Sequence, residues 1–226
     1  EALWVCAECL GPLEVSYDYD AIRQVISREL IESRPHSLWR YRELLPVEEP
    51  RTGFNSGFTP LVPAPRLAAA LGIGELYLKL DLANPTHSFK DRVVAVATAK
   101  AQEFGFSTLS ATSTGNLANA VGARAAATGM RAVIFCPVGL ENEKLRATTV
   151  YGATIFGVRG SYDDCSRLVS ELAGEVEWGI VNVNLRSYYS EGSKTLALRS
   201  RPSVEKASMS CWSVITSSKS PPGDQP

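Results

Sequence analysis

Short apolar runs alternate with helix-period segments between residues 75 and 183, and this alternation limits the possible fold more than any other feature of the chain. Short apolar runs bounded by turn residues are typical of buried strands, and apolar residues three or four positions apart are typical of helices. The predicted strands are Glu75–Leu80, Thr108–Thr112, Arg131–Cys136, Thr154–Val158 and Gly179–Val183. The predicted helices between them are Ser88–Phe104, Gly115–Thr128, Glu141–Tyr151 and Tyr162–Leu172. This order predicts an α/β fold in which open, twisted, mainly parallel sheets carry helices on both faces.

The flanking segments are less regular. Helical spacing predicts a surface helix over residues 20–32, and a loop rich in Pro and Gly over 46–65 leads into a helix at 66–71. Ser and Pro dominate the last residues, which predicts a disordered tail. The expected division is an amino-terminal segment over 1–45, a main α/β domain over 46–197 and an unrelated tail over 198–226.

Composition excludes several functions. The chain has 226 residues, of which 45% are hydrophobic and 21% charged, as is usual for globular proteins. Its net charge of −1 provides no basic surface for nucleic acid or anionic lipid. The sequence shows neither an apolar run of about 20 residues nor a secretion signal. We therefore expect a cytoplasmic protein that binds neither nucleic acid nor membranes.

Asn84-Pro-Thr-His-Ser-Phe-Lys-Asp-Arg92 is a polar turn that becomes a helix at its lysine. A lysine that forms a Schiff base must lose its proton near neutral pH. The amino end of a helix and an apolar neighbour such as Phe89 favour the neutral amine. Lys90 is therefore a candidate nucleophile, and the alternative is an ordinary solvated lysine in a first helical turn.

A second polar segment, Ser110-Ala-Thr-Ser-Thr-Gly-Asn-Leu-Ala-Asn119, joins a predicted strand to an alanine-rich helix. Free backbone N–H groups at a helix start, together with hydroxyl groups, are suited to bind a carboxylate or a phosphate. Simple capping of the helix explains the same residues equally well.

Several segments together carry a resemblance to a known family. They are Thr59-Pro-Leu61, Leu78-Lys-Leu-Asp81, the lysine segment and Ser113-Thr-Gly-Asn116. Their order and spacing resemble the tryptophan synthase β-like, fold type II pyridoxal-phosphate enzymes. Within that group the chain looks most like threonine synthase, on the basis of Ser37-Leu-Trp-Arg-Tyr-Arg-Glu-Leu-Leu-Pro46, Asn182-Val-Asn-Leu-Arg186 and Glu191-Gly-Ser-Lys-Thr195.

The resemblance implies roles for particular residues. Lys90 would carry pyridoxal phosphate as a Schiff base and act as the base, and Asn116 would bind the phenolic oxygen of the cofactor. Ser113, Thr114 and the amides around Gly115 would hold the substrate carboxylate. The candidates for the substrate phosphate, each as well explained by a structural role, are Lys144, Asn182, Asn184 and Arg186.

The implied reaction converts O-phospho-L-homoserine and water into L-threonine and phosphate, in an enzyme that forms a homodimer when complete. Alternatives are a threonine or serine dehydratase, a cysteine synthase, or an inactive fragment of such an enzyme. Two residues depart from the family pattern, His87 and Asp81. The resemblance stops near Ala197, before the glycine-rich phosphate loop of the family, so we expect a chain that is incomplete at both ends and has a misread tail.

Five cysteines in a chain of this size do not form a disulfide pattern. Cys6 and Cys9 are half of a four-ligand zinc site, and a structural zinc is expected only if further cysteines precede them. Cys136 and Cys165 lie in a predicted strand and helix, so we expect them to be small buried apolar residues.

Overall fold

The computed structural model describes residues 5–47, 53–139, 142–200 and 216–217, with the backbone alone for 142–144, 199–200 and 216–217. The α-helices are α1 (Tyr19–Val25), α2 (Arg28–Ser33), α3 (Pro65–Ala70), α4 (Lys90–Glu103), α5 (Asn116–Thr128), α6 (Asn142–Thr149), α7 (Tyr162–Leu172) and α8 (Arg186–Ser200). The strands are β1 (Leu61–Pro63), β2 (Glu75–Lys79), β3 (Thr108–Thr112), β4 (Arg131–Pro137), β5 (Thr154–Val158), β6 (Gly179–Ile180) and β7 (Thr216–Ser217). Short 3-10 helices cover Leu38–Leu44 and Asp81–Ala83.

Four strands form a parallel sheet in the order β5-β4-β3-β6. β3 and β4 pair from Thr108 opposite Arg131 to Thr112 opposite Phe135. Parallel strands require crossover connections, which α5, α6 and α7 provide. The predicted parallel α/β sheet is confirmed, and the carboxyl ends of its strands lie at one common edge.

Side chains alternate between the two faces of this sheet, and different helices cover each face. Leu109 and Ile134 belong to a core that includes residues of α4 and α5. Phe135 faces the other side and packs in a cluster with Val169 of α7. The prediction of helices on both faces is therefore confirmed.

β2 lies outside the parallel sheet, so the prediction that placed it in one series with β3 is wrong. It pairs antiparallel with β1 on one side, with Leu61 opposite Lys79, and antiparallel with β7 on the other side. β1 lies in the segment predicted to be a loop. It was not predicted as a strand, because three residues that end in a proline are too few to show the alternating pattern of a strand. The chain therefore contains a second, antiparallel sheet.

The helix predicted over residues 20–32 is divided into α1 and α2. Ile26 has an extended backbone, with φ −116° and ψ 136°. Ser27 then caps α2, because its side chain accepts a hydrogen bond from Leu30 N at 3.1 Å. Neither helix contains a buried residue, so the predicted surface location is confirmed.

α8 was not predicted, and it follows a strand shorter than the predicted Gly179–Val183. Val183 N and Leu185 N both donate to Ile180 O, which turns the chain at the end of β6. α8 then continues to Ser200, past the predicted boundary at residue 197. Apart from α8 and β7, the predicted disordered tail lies outside the described residues.

α8 packs closely across α4. A side chain at Gly192 would place its Cβ 2.5 Å from Val93 Cα and 2.6 Å from Arg92 O. Only glycine permits an approach this close between two helix backbones. The crossing point therefore fixes the position of α8 relative to the start of α4.

Candidate active site

Lys90 is the first residue of α4, and its amide donates to Ser88 Oγ at 3.1 Å. Its side chain is half-buried, and Nζ donates a hydrogen bond to the hydroxyl of Tyr189 on α8. The same nitrogen lies 5.1 Å from the centre of the Tyr189 ring, within the range of cation–π attraction. Since α4 leads through a short turn into β3, its first residue lies towards the sheet edge where β3 ends. Ligands of open α/β sheets bind at that edge.

The turn before Lys90 is held by a buried asparagine. Asn84 accepts a hydrogen bond from Gly57 N at 2.9 Å and donates one to Asp81 O at 2.8 Å. His87 has a φ of 56° in the left-handed region, where His is better tolerated than most residues. These contacts join the turn to the loop at residue 57, so Lys90 starts from a well-supported backbone.

Asp91 ties the helix start to the same turn. It is 1% exposed, and its Oδ2 accepts hydrogen bonds from Thr86 N and Oγ1 at 2.8 and 2.9 Å. Its Oδ1 has no hydrogen-bond partner within the described part of the chain. Burial raises the pKa of this carboxyl group, although the hydrogen bonds from Thr86 act in the opposite direction.

Arg92 is fully buried and connects four parts of the chain. Its Nε and Nη2 donate to the Asp81 carboxylate at 2.7 and 2.9 Å. Nη2 also donates to Thr59 Oγ1 at 2.9 Å, and Nη1 donates to Thr195 Oγ1 at 3.1 Å. Burial acts to raise the pKa of Asp81, but the hydrogen bonds and charge of Arg92 lower it overall. Arg92 in the first turn of α4 is therefore linked to Thr59 before β1, to Asp81 just after β2 and to Thr195 on α8.

The second polar segment forms the turn from β3 into α5. Ser113 is buried, and its Oγ accepts hydrogen bonds from Gly115 N at 3.3 Å and Ala118 N at 3.2 Å. Asn116 begins α5 and is exposed, whereas Thr114 is partly buried. A Cβ added at Gly115 would meet no atom of the described residues within 4 Å. The Ser113 hydroxyl thus stabilises the helix start, and the surface next to Gly115 is open.

Side chains from two other elements hold the end of β3. Asn182 accepts a hydrogen bond from Thr112 N at 3.2 Å and donates one to Thr112 O at 3.3 Å. The Tyr162 hydroxyl donates to the same carbonyl at 3.1 Å. Burial raises the pKa of Tyr162, and the electrostatic effects of Cys165 and Tyr189 add to this. Tyr162 and Asn182 therefore both hold the carbonyl at the end of β3.

The other candidates for a phosphate ligand have different surroundings. Asn184 is buried, and its amide accepts from Ile180 N at 2.7 Å and donates to Trp178 O at 2.8 Å. Arg186 is the exposed first residue of α8. The side chain of Lys144 lies outside the described residues. The structure thus brings Asn182 to the end of β3, whereas Asn184 holds β6.

The cysteine pair lies in a tight turn, where Cys6 N donates to Gly11 O at 2.9 Å. Within the described ranges, no group of three or more His, Cys, Asp or Glu side chains is placed to hold a metal ion. The described residues therefore give the conditional zinc prediction for Cys6 and Cys9 no support. Cys136 and Cys165 are buried, as predicted, and burial raises the pKa of both thiols.

A cavity of ≈ 360 Å³ opens at the opposite edge of the parallel sheet. Its lining includes Arg131 and Thr154, the first residues of β4 and β5, and the ring of Trp178. The amino ends of parallel strands are not where such sheets bind their ligands. The edge with Lys90 is therefore the better candidate.

Residues 54–203 match a family model described as pyridoxal-phosphate dependent enzyme. The chain belongs to this family. Threonine synthase from Methanosarcina acetivorans is 36% identical over 197 residues, which cover 87% of this chain and 48% of the relative. Threonine synthase from Methanocaldococcus jannaschii is 37% identical over 200 residues, covering 87% and 49%. The chain thus spans about half the length of the curated relatives it matches.

Solved structures support the same fold. Diaminopropionate ammonia lyase from Escherichia coli aligns with a TM-score of 0.59 at 22% identity, over 79% of this chain and 49% of that chain. Maize serine racemase aligns with a TM-score of 0.55 at 21% identity, over 66% and 46%. Identities this low show the fold alone. The predicted architecture of the pyridoxal-phosphate-dependent family is confirmed.

The candidate site fits the cofactor of this family. Pyridoxal phosphate requires an amine within reach of open space, and Lys90 is half-buried rather than enclosed. Its anionic groups require donors, and the first turn of α5 directs the backbone N–H groups of Asn116 and Leu117 towards the edge of the sheet where β3 ends. The open surface next to Gly115 leaves room beside those donors.

The sequence patterns gave no role to Tyr189, whose hydroxyl accepts a hydrogen bond from Lys90 Nζ. A signal was present, because Leu185, Tyr188, Gly192 and Thr195 recur at helical spacing. Glycine and threonine at the positions that face α4 concealed the helix, since neither is read as apolar. A helix prediction for this segment would have placed Tyr189 one helical turn before Gly192.

Proposed function

We propose that this protein is a threonine synthase, which converts O-phospho-L-homoserine and water into L-threonine and phosphate, and that Lys90 holds its pyridoxal phosphate. The observation that carries the proposal is the alignment of 87% of the chain with curated relatives named threonine synthase. The position of Lys90 at the ligand edge of the sheet agrees with it. The reaction is a proton transfer followed by loss of phosphate and addition of water.

When bound, pyridoxal phosphate supplies an electron sink that stabilises negative charge at the substrate carbons. In the proposed mechanism, Lys90 Nζ takes and returns protons at those carbons. Asn116, exposed at the start of α5, orients the cofactor through its phenolic oxygen. Thr114 and the amides around Gly115 bind the substrate carboxylate, and Ser113, whose Oγ accepts hydrogen bonds from Gly115 N and Ala118 N, supports them by stabilising the turn.

The four candidates for the substrate phosphate are not equally suited to it. Arg186 is the strongest, because an exposed guanidinium can bind phosphate through two hydrogen bonds. Asn182 lies at the end of β3, although its amide already bonds Thr112. Asn184 is the weakest, since both ends of its buried amide are engaged. Lys144 is proposed from its position in the sequence alone.

Among the helices that the structure describes, none is long and apolar enough to cross a bilayer. We propose a cytoplasmic enzyme, because a phosphorylated amino acid is charged and does not cross membranes unaided, so it is used where it is made. A net charge of −1 disfavours nucleic acid as a partner. A homodimer is proposed from the family resemblance.

Covalent mapping tests the role of Lys90. The protein is incubated with pyridoxal phosphate, reduced with borohydride and digested, and the modified peptide is identified by mass spectrometry. We expect the label on Lys90 in the parent protein and in Lys100→Ala, and its loss in Lys90→Ala. A label found mainly on Lys79 or Lys194 would contradict the assignment.

Two further measurements separate the reaction from its alternatives. Phosphate released from O-phosphohomoserine, with threonine as the product, supports threonine synthase, whereas ammonia released from threonine or serine would indicate a dehydratase. Asn116→Ala should weaken cofactor binding and shift the absorbance of bound cofactor. Unchanged absorbance and affinity would remove Asn116 from the site.

A further inference from the structure

We propose that Tyr189 is a positioning residue that holds the reactive amine of Lys90, an inference that rests on the proposed role of Lys90. The Tyr189 hydroxyl accepts a hydrogen bond from Lys90 Nζ, and the ring centre lies 5.1 Å from the same nitrogen. The two residues are 99 positions apart in the chain. Their contact therefore depends on how α8 crosses α4.

Close contacts hold the crossing of α8 and α4 near Tyr189. Tyr189 lies three positions before Gly192, whose backbone touches α4 at Arg92 and Val93. One turn beyond Gly192, the buried Thr195 accepts a hydrogen bond from Arg92 at 3.1 Å. These contacts fix both the distance and the register of α8 along α4.

The neighbouring tyrosine fixes the rotation of α8. The Tyr188 ring makes an edge contact with Phe104 at 5.6 Å between ring centres, near the far end of α4. Lys100 Nζ lies 5.4 Å from the centre of the same ring. With Tyr188 directed to one end of α4, Tyr189 is directed to the other, where Lys90 begins the helix.

A held amine has a chemical advantage. A lysine side chain has four flexible carbons, and free rotation spreads its nitrogen over many positions. A hydroxyl acceptor and a ring face at a fixed place favour the one position at which the cofactor must meet the nitrogen. Tyr189 thus raises the effective concentration of the amine at the point of attachment. The same hydroxyl keeps the amine in place when it later moves protons.

The test uses cofactor-free protein, so that it does not depend on turnover. A brief pulse of formaldehyde and cyanoborohydride methylates accessible amines, and peptide mass spectrometry gives the rates at Lys90 and at Lys100. Tyr189→Phe keeps the ring but removes the acceptor. The net strength of the lost hydrogen bond predicts that methylation of Lys90 becomes about two- to tenfold faster. Lys100 is the internal reference, because its Nζ bonds Glu103 at 2.7 Å, away from Tyr189.

Tyr188→Phe is the matched control. It also removes one hydroxyl from α8 while keeping the ring that packs on Phe104, so both rates should stay at the parent values. Equal methylation of Lys90 in the parent and in Tyr189→Phe would overturn the proposal. Faster methylation of both Lys90 and Lys100 would also overturn it, because it would show that Tyr189 only supports the packing of α8.

A second measurement distinguishes positioning from mere shielding. If Tyr189 positions the amine, attachment of pyridoxal phosphate followed by absorbance should be severalfold slower in Tyr189→Phe, although the small reagent reacts faster. Attachment at the parent rate would overturn the positioning role. If the parent protein attaches no cofactor at Lys90, the proposed function fails instead, and the methylation rates still decide whether Tyr189 holds the amine.

Discussion

Gly192 lies where α8 crosses α4, and its replacement with alanine should push the two helices apart. The added Cβ would lie 2.5 Å from Val93 Cα and 2.6 Å from Arg92 O. Carbon atoms in good contact are about 3.5 to 4 Å apart, so a separation of about 1 Å is needed. Both contacted atoms belong to the backbone, and no side-chain rotation relieves the clash.

The expected magnitude is the difference of two effects. Overpacking a well-packed site costs about 1 to 3 kcal/mol, and a clash with backbone atoms belongs at the upper end. Alanine gains about 1 kcal/mol over glycine within a helix. Gly192→Ala should therefore lower the free energy of unfolding by about 2 kcal/mol.

Gly122→Ala in α5 is the matched control, because its Cβ would meet its nearest atom, Thr148 O, at an ordinary 3.4 Å. That variant should gain up to about 1 kcal/mol from helix propensity alone. Urea unfolding followed by circular dichroism compares the two variants with the parent. Equal stability of Gly192→Ala and Gly122→Ala would refute the reasoning. Displacement of α8 should also speed the methylation of Lys90, since Tyr189 moves with the helix.

Arg92→Met should lower the free energy of unfolding by about 3 to 5 kcal/mol, because it leaves the Asp81 carboxylate without its main partner. In urea unfolding, the double variant with Asp81→Asn should recover part of this loss. No recovery would contradict the pairing of Arg92 with Asp81. The hydrogen bonds from Arg34 lower the pKa of Glu43 from 4.5 to about 2, so the pair stabilises the fold above pH 4.5 and loses this effect as the pH falls towards 2. Urea midpoints at pH 6 and pH 3 should differ less in Glu43→Gln than in the parent, and an equal difference would argue against the pair. Ser113→Ala should lose about 1 kcal/mol of stability through its two amide hydrogen bonds, and an unchanged urea midpoint would show that they contribute nothing.

The parallel sheet was predictable because its signals are local. β3 and β5 have the bounds expected from their apolar runs, and α7 has the bounds expected from its period. Its first residue is set by Ser161 and Asp164, which form a capping box. The break at Ile26 was missed because capping by Ser27 competes with a helical pattern that is otherwise continuous.

The site was predictable only in part, for a related reason. Lys90 lies in a motif whose residues are adjacent in the chain, so the sequence displays it directly. Tyr189 reaches Lys90 through a crossing of two helices, and the helical spacing around Gly192 indicates α8 but not the helix that it crosses. For Asn184, the sequence predicted a place at the end of a strand. It did not predict that the side-chain amide hydrogen-bonds to the backbone and is therefore engaged.

The reach of the Arg92 guanidinium along the chain has a consequence for the order of assembly. Its partners lie 33 residues earlier at Thr59 and 103 residues later at Thr195. During synthesis, Arg92 and Asp81 leave the ribosome well before α8 exists, so their surroundings stay open to water until Thr195 arrives. Contacts this distant in sequence form late in folding, because the entropy cost of closing a long loop must be met before the contact can stabilise the chain. We therefore expect Lys90 to reach its final orientation only when the segment up to α8 has been made, so that its reactivity marks the completion of this part of the fold.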